Sequence, residues 1–177
     1  AAVPPWPWGQ LIYFQVLHRV YSSGVKGHMA DFGIGMGGSS VFFGQLAKRW
    51  GKKLLAVDSF EGLPAPDALR DNPYFVEGDF GNRDGADNRR AFEELLTSFG
   101  IEDSVIVAKG AFRQINVPAD FHQLAFAHLD GDLYQSVSDA LERVWDLVPD
   151  GGVIVIDDFF HKVQGPARAL ADFFKAR

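Results

Sequence analysis

The sequence predicts an open α/β sheet, mainly parallel, with helices on both faces. Three observations carry this. Residues 28–32, 53–58, 104–108, 124–130 and 153–157 are short and apolar almost throughout, as strands buried on both faces are. Amphipathic segments of helical length alternate with them. An acid stands at the C-terminal end of four of the five: Asp31, Asp58, Asp130 and Asp157. In such sheets ligands bind outside the carboxyl ends of the strands, so function is expected at those ends.

The elements follow in order. The first eight residues hold three prolines and two tryptophans, too much proline for a helix or central strand. Residues 11–21 form a short helix with a broad apolar face, ended by Ser22-Ser23-Gly24. The strand at 28–32 enters a glycine-rich turn. A helix over 39–50 follows, with Ser39 or Ser40 able to cap its start and Gly51 just past its end. After the second strand, residues 64–88 are polar and rich in Asp, Asn, Gly and Pro, a candidate lid. A helix over 89–99 closes at Gly100. Residues 135–148 are amphipathic, with Val137, Leu141, Val144, Trp145 and Val148 along one side. Pro149-Asp150-Gly151-Gly152 turns into the fifth strand, and a last helix covers 165–175. The whole reads as a single domain over 1–177, with 1–27 as an N-terminal cap segment.

Composition narrows the function classes. The 177 residues are 47% hydrophobic and 23% charged, ordinary for a globular chain. The lack of cysteine excludes a disulfide scaffold, a thiol nucleophile and a thiolate zinc site. A net charge of −6 argues against a nucleic-acid partner. No apolar run approaches the roughly 20 residues of a membrane span, and the first residues do not read as a signal peptide. A cytoplasmic setting is the default expectation. An uncovered sheet edge would favour a homodimer.

Three motifs carry chemistry. In Asp31-Phe32-Gly33-Ile34-Gly35-Met36-Gly37-Gly38-Ser39-Ser40, glycines let the backbone approach a ligand at a helix start. The pattern fits a dinucleotide fingerprint, but Asp31 suits a cationic ligand better than a pyrophosphate. Asp58 can accept hydrogen bonds from a ribose diol of either a nicotinamide or an adenosyl cofactor. Asp130-Gly131-Asp132 and Asp157-Asp158 would converge as four carboxylates, whose repulsion a divalent cation such as magnesium relieves. The alternative is that Asp132 caps the next helix and Asp158 faces solvent. His128, inside an apolar strand, reads as a hydrogen-bonded core residue, and His161 as a candidate to reach the acids.

Three strings then carry a resemblance: Asp58-Ser59-Phe60-Glu61-Gly62-Leu63-Pro64, His128-Leu129-Asp130-Gly131-Asp132-Leu133-Tyr134 and Gly151-Gly152-Val153-Ile154-Val155-Ile156-Asp157-Asp158. In this order they resemble the macrocin O-methyltransferase family of class I S-adenosylmethionine-dependent enzymes, over roughly residues 31–174. The resemblance implies a Rossmann-like methyltransferase fold and transfer of a methyl group to a small-molecule hydroxyl, often of a natural-product sugar. It implies that the turn after Asp31, with Gly33, Gly35 and Ser39, cradles the cofactor's methionine part. Asp58 would hold the ribose, with Ser59 and Phe60 beside it, and Gly110 would lie near the adenine. Asp130, Asp157 and Asp158 would bind magnesium. Asp132 would act as general base, with Asp130 beside it.

The chain departs from the family in three places: only residues 1–27 precede the first strand, no sequence follows for the fold's usual closing strand hairpin, and Phe159-Phe160 stand where a tyrosine is common. Two other readings remain at this point. One is a nicotinamide-dependent oxidoreductase, resting on the glycine pattern and Asp58. The other is a truncated, non-catalytic cofactor-binding remnant.

Overall fold

The computed structural model of the chain describes residues 7–81, 87–159 and 164–177. Its elements run α1 (Pro7–Ser22), β1 (His28–Phe32), α2 (Gly38–Arg49), β2 (Leu54–Asp58), α3 (Asn88–Ser98), β3 (Val105–Lys109), β4 (Leu124–Leu129), α4 (Tyr134–Val144), β5 (Val153–Ile156) and α5 (Gly165–Ala176). The strands form a five-stranded sheet among the described residues, in the order β3-β2-β1-β4-β5, and every pair is parallel. The order reverses between β1 and β4, so the ligand crevice of such a sheet lies beyond these two strands.

Period-two alternation divides the core. Met29, Leu54, Ala56 and Phe126 point to one face, where they pack with Leu17 of α1, Phe43 and Leu46 of α2, and Phe92 and Leu96 of α3. Ala30, Phe32, Leu55, Val57, Ala127 and Leu129 point to the other, against Val137, Ala140 and Leu141 of α4 and Ala169 of α5. Phe43 and Phe126 meet edge to face at 5.1 Å, and both are shut off from solvent. Burying each such side chain contributes about 1.5–3 kcal/mol. Asp31 and Asp58 lie on the first face, in the rows of Met29 and Ala56, and Asp130 and Asp157 extend the rows of His128 and Val155.

Several boundaries differ from expectation for local reasons. α1 begins at Pro7, where a proline in the first helical turn loses no hydrogen bond. α2 starts after Gly37, held left-handed at φ 85°, with no side-chain cap; Ser39 and Ser40 are engaged elsewhere. The long helix expected over 135–148 stops as α at Val144 and continues as a 3-10 turn over Trp145–Leu147. There the Trp145 ring packs on Phe173 at 5.2 Å and on Phe174 at 5.1 Å.

The expected lid region is anchored where it is described. Asp71 Oδ1 accepts the Tyr134 backbone N–H at 2.7 Å, so it and not Asp132 satisfies the start of α4. Arg168 of α5 donates to the Leu69 carbonyl, and the Arg70 guanidinium lies 4.4 Å from the Tyr134 ring centre. Residues 82–86 of that region, residues 1–6 of the cap segment, and Phe160 and His161 lie outside the described residues.

Candidate active site

Asp31 is fully buried and wholly engaged by its own chain. Its Oδ1 lies 2.8 Å from His128 Nδ1, and its Oδ2 accepts from Ser39 Oγ at 3.1 Å and Ser40 Oγ at 2.5 Å. A carboxylate only accepts, so the hydrogen between Asp31 and His128 belongs to Nδ1. Burial disfavours the His128 cation, but the hydrogen bond and charge of Asp31, with Asp130 and Asp157 beyond, leave its pKa raised. Tyr13 Oη sits 3.1 Å from Nε2 on the other side of the ring. The expectation that His128 is a bonded core residue is met, at 1% exposure. Asp31 and Ser39, expected at the cofactor, both point their side chains into the Tyr13–His128 chain beneath the turn, Asp31 fully buried and Ser39 half-buried.

The glycine turn divides by role. Gly33, at φ 99°, is required by the sheet, since a Cβ there would come 1.7 Å from the Asp130 carbonyl oxygen. Gly35, at φ 51°, has nothing within 4 Å of where its Cβ would be, so the turn opens outward there. Above it Asp58 collects three backbone N–H groups: Ile34 at 2.7 Å and Gly35 at 3.3 Å on Oδ2, and Phe60 at 2.7 Å on Oδ1. About one of the four lone-pair directions is left for a ligand hydroxyl. The Gly110 N–H donates to the Asp58 carbonyl at 2.9 Å, which brings the turn after β3 beside the end of β2. Ser59 serves its own turn, donating to the Gly62 carbonyl at 3.3 Å and accepting from the Glu61 N–H at 3.1 Å. Phe60 is turned into the core against Phe92, 5% exposed.

The acids after β4 and β5 do converge. Donor atoms of Asp130, Asp132 and Asp158 lie within 4.8 Å of one another, as do those of His128, Asp130 and Asp157. The expected trio of Asp130, Asp157 and Asp158 is thus divided, with Asp130 common to both groups. Both ring nitrogens of His128 are already bonded, so the all-carboxylate group has the free donors. Burial and the charges of Asp157 and Asp132 push the Asp130 carboxyl far up, against the pull of His128. Burial, then the charge and hydrogen bond of Asp158, push Asp132 to about 7. Asp132 and Asp158 are held left-handed, at φ 56° and 52°, a conformation aspartate tolerates better than most residues and one that clusters at functional sites.

This donor set fits a divalent cation. Three oxygen ligands are half-buried and close together, and burial with the neighbouring carboxylates raises the pKa of Asp130 and Asp132. It also fits a sulfonium beside it: the charges acting most strongly on Asp132 are all carboxylates, while the open side of Gly35 and the remaining lone pair of Asp58 suit a nucleoside.

Sequence reasoning missed Tyr13 and the bond between Asp31 and His128. One signal was available: counted back from the strand ends, Asp31 and His128 fall opposite each other in parallel register. Asp71 carried no signal, because its partner is 63 positions away.

Comparison with known proteins agrees with this architecture. Residues 12–177 match the macrocin-O-methyltransferase (TylF) family. An 8-demethyl-8-(2,3-dimethoxy-alpha-L-rhamnosyl)-tetracenomycin-C 4'-O-methyltransferase of Streptomyces olivaceus is 30% identical over 151 residues, which cover 81% of this chain and 57% of that protein. A demethyldecarbamoylnovobiocin O-methyltransferase of Streptomyces niveus is 26% identical over 92% of this chain and 63% of its own length. The chain therefore spans about three-fifths of these relatives. Among solved structures, the calicheamicin methyltransferase CalS11 superposes with a TM-score of 0.76 at 19% identity, covering 93% of this chain and 69% of that one. The O-methyltransferase NovP gives 0.71 at 23%, covering 94% and 70%. The family match, the sheet order and the acids at the strand ends agree: the chain belongs to the macrocin O-methyltransferase family.

Proposed function

We propose that this chain carries the catalytic core of an S-adenosylmethionine-dependent O-methyltransferase that acts on a hydroxyl of a natural-product sugar, with magnesium bound at the converging carboxylates after β4 and β5, Asp130 and Asp158 among them. The observation that carries the reading is the convergence of Asp130, Asp132 and Asp158 next to the open glycine turn and Asp58. Family membership favours the adenosyl over the nicotinamide cofactor, and a structural neighbour, TomG of Streptomyces achromogenes, is described in complex with SAM. One relative is named for O-methylation of a rhamnosyl-tetracenomycin, which supports the acceptor class.

In this reading Asp58 accepts from the ribose diol and the outward side of Gly35 lies along the cofactor. When bound, the cofactor supplies a methyl group on a cationic sulfur, and the metal ion makes the acceptor hydroxyl more acidic. With the cofactor bound, the acceptor oxygen would take the methyl group and the carbon–sulfur electron pair would stay on sulfur. Asp132 takes the proton that the acceptor oxygen gives up. In the metal-free chain, burial and Asp158 raise the Asp132 carboxyl to about 7, so among these acids it is one that readily takes up a proton. His128 and Asp31 keep the turn in place from below, so that oxygen, carbon and sulfur can align. The lid region presents Leu69, Tyr74, Val76 and Phe80 largely exposed, an apolar surface for the rest of the acceptor.

The test is transfer of labelled methyl from S-adenosylmethionine into a panel of deoxysugar glycosides, with magnesium and with a chelator. Product that needs magnesium supports the reading. No product from any acceptor, by a protein that binds the cofactor, favours a non-catalytic remnant.

A further inference from the structure

The chain of hydrogen bonds that holds the glycine turn from below begins outside the sheet. Tyr13 Oη meets His128 Nε2 at 3.1 Å, His128 Nδ1 meets Asp31 at 2.8 Å, and Asp31 receives both Ser39 and Ser40. It passes through four elements: α1, β4, β1 and the first turn of α2. Rings pack about its middle. Tyr13 stands edge to face with His128 at 5.2 Å and with Phe43 at 5.4 Å, and Phe43 with His128 at 5.4 Å. Purely apolar side chains would fill this volume at lower cost, since each buried polar group needs a partner. The chain begins on α1, outside the sheet, and ends directly under Gly33–Ser40, the turn assigned to the methionine part of the cofactor. It does not reach Asp58, which holds that turn from the other side through Ile34 and Gly35.

We propose that Tyr13 is a positioning residue: acting through His128 and Asp31, it couples the docking of α1 to the shape of the methionine-binding half of the turn, and leaves the nucleoside half to Asp58. This rests on the cofactor reading given above. The coupling makes the N-terminal helix a specificity element for the amino-acid end of the cofactor.

Two ligands separate the halves. S-adenosylhomocysteine carries the amino-acid group and 5′-methylthioadenosine lacks it, and both share the nucleoside thioether. Calorimetry on the whole chain should show that Tyr13→Phe weakens S-adenosylhomocysteine about three- to tenfold, the worth of one net hydrogen bond, and leaves methylthioadenosine within about twofold. His128→Asn, which keeps a donor near Nδ1 but loses the link to Tyr13, should reproduce that split. Thermal melts show whether each variant is folded, and Tyr13→Phe, which removes a single oxygen, serves if His128→Asn is not. Equal weakening of both ligands, or of neither, by folded Tyr13→Phe would overturn the proposal. Failure of the unaltered chain to bind either ligand would overturn the cofactor reading itself and the proposal with it.

Discussion

Asp31 of β1 and His128 of β4 stand opposite each other in parallel register, and the imidazole Nδ1 lies 2.8 Å from the carboxylate in a place closed to water. The pair lies directly under the crevice where the sheet order reverses. It joins the two strands whose ends carry the glycine turn and the acidic cluster, so disturbing it should be felt at both.

Removing one partner leaves the other buried and unpaired. Asp31→Ala should therefore cost about 3–5 kcal/mol of unfolding free energy. Urea titration of the variant against the unaltered chain measures this. A loss below 1 kcal/mol would mean that the pair is not closed off in solution.

The acidic cluster makes stability depend on pH and metal. Asp132 is held at about 7, above its unfolded value near 3.9, because burial and Asp158 disfavour its charge. The folded state thus binds more protons between those values. This contribution is fully present below about pH 4 and is lost as pH rises through 7. Melting temperatures should fall from pH 5 to pH 8 without divalent ion, and magnesium should restore them at pH 8 and do little at pH 5. Asp132→Asn should flatten the slope, and asparagine accepts the left-handed backbone at this position. A slope unchanged in that variant would assign it to other groups.

Asp132 and Asp58 should separate chemistry from binding. Asp132→Asn should lower turnover by about 10²–10⁴-fold, the usual worth of a positioned base, with cofactor affinity near that of the unaltered chain. Initial rates at saturating cofactor give the first quantity and calorimetry the second. A variant that turns over normally would remove Asp132 from the role of base.

The two glycines of the turn make a structural comparison. Gly33→Ala places a Cβ 1.7 Å from a backbone oxygen that cannot move aside, and should prevent stable folding. Gly35→Ala meets nothing and should cost only the left-handed penalty, about 1–2 kcal/mol. Thermal melts of both variants check the order, and equal effects would contradict the close approach of β1 to Asp130.

These residues also show how far the sequence could be read. The five strands were legible because each is apolar almost throughout, and Asp58, Asp130 and Asp157 because strand ends in an open sheet face the ligand. The role of Asp31 was not legible. A string of glycines after an acid looks the same whether the carboxylate faces a ligand or a histidine 97 positions away, and only the register of β1 on β4 decides. The direction of the Phe60 ring was not legible either: its left-handed backbone at φ 58° turns it into the core. The acids after β4 and β5 were foreseen as a group, but their division around Asp130 depends on backbone conformations at Asp132 and Asp158 that composition does not encode.

The central claim is that the crevice above Asp58 binds S-adenosylmethionine. Titration calorimetry of the unaltered chain with that cofactor, repeated with Asp58→Ala, tests it most directly. The account predicts one-site binding that the substitution weakens about tenfold or more, since a hydrogen bond to a charged group is lost. No binding by the unaltered chain, with magnesium or without it, would contradict it.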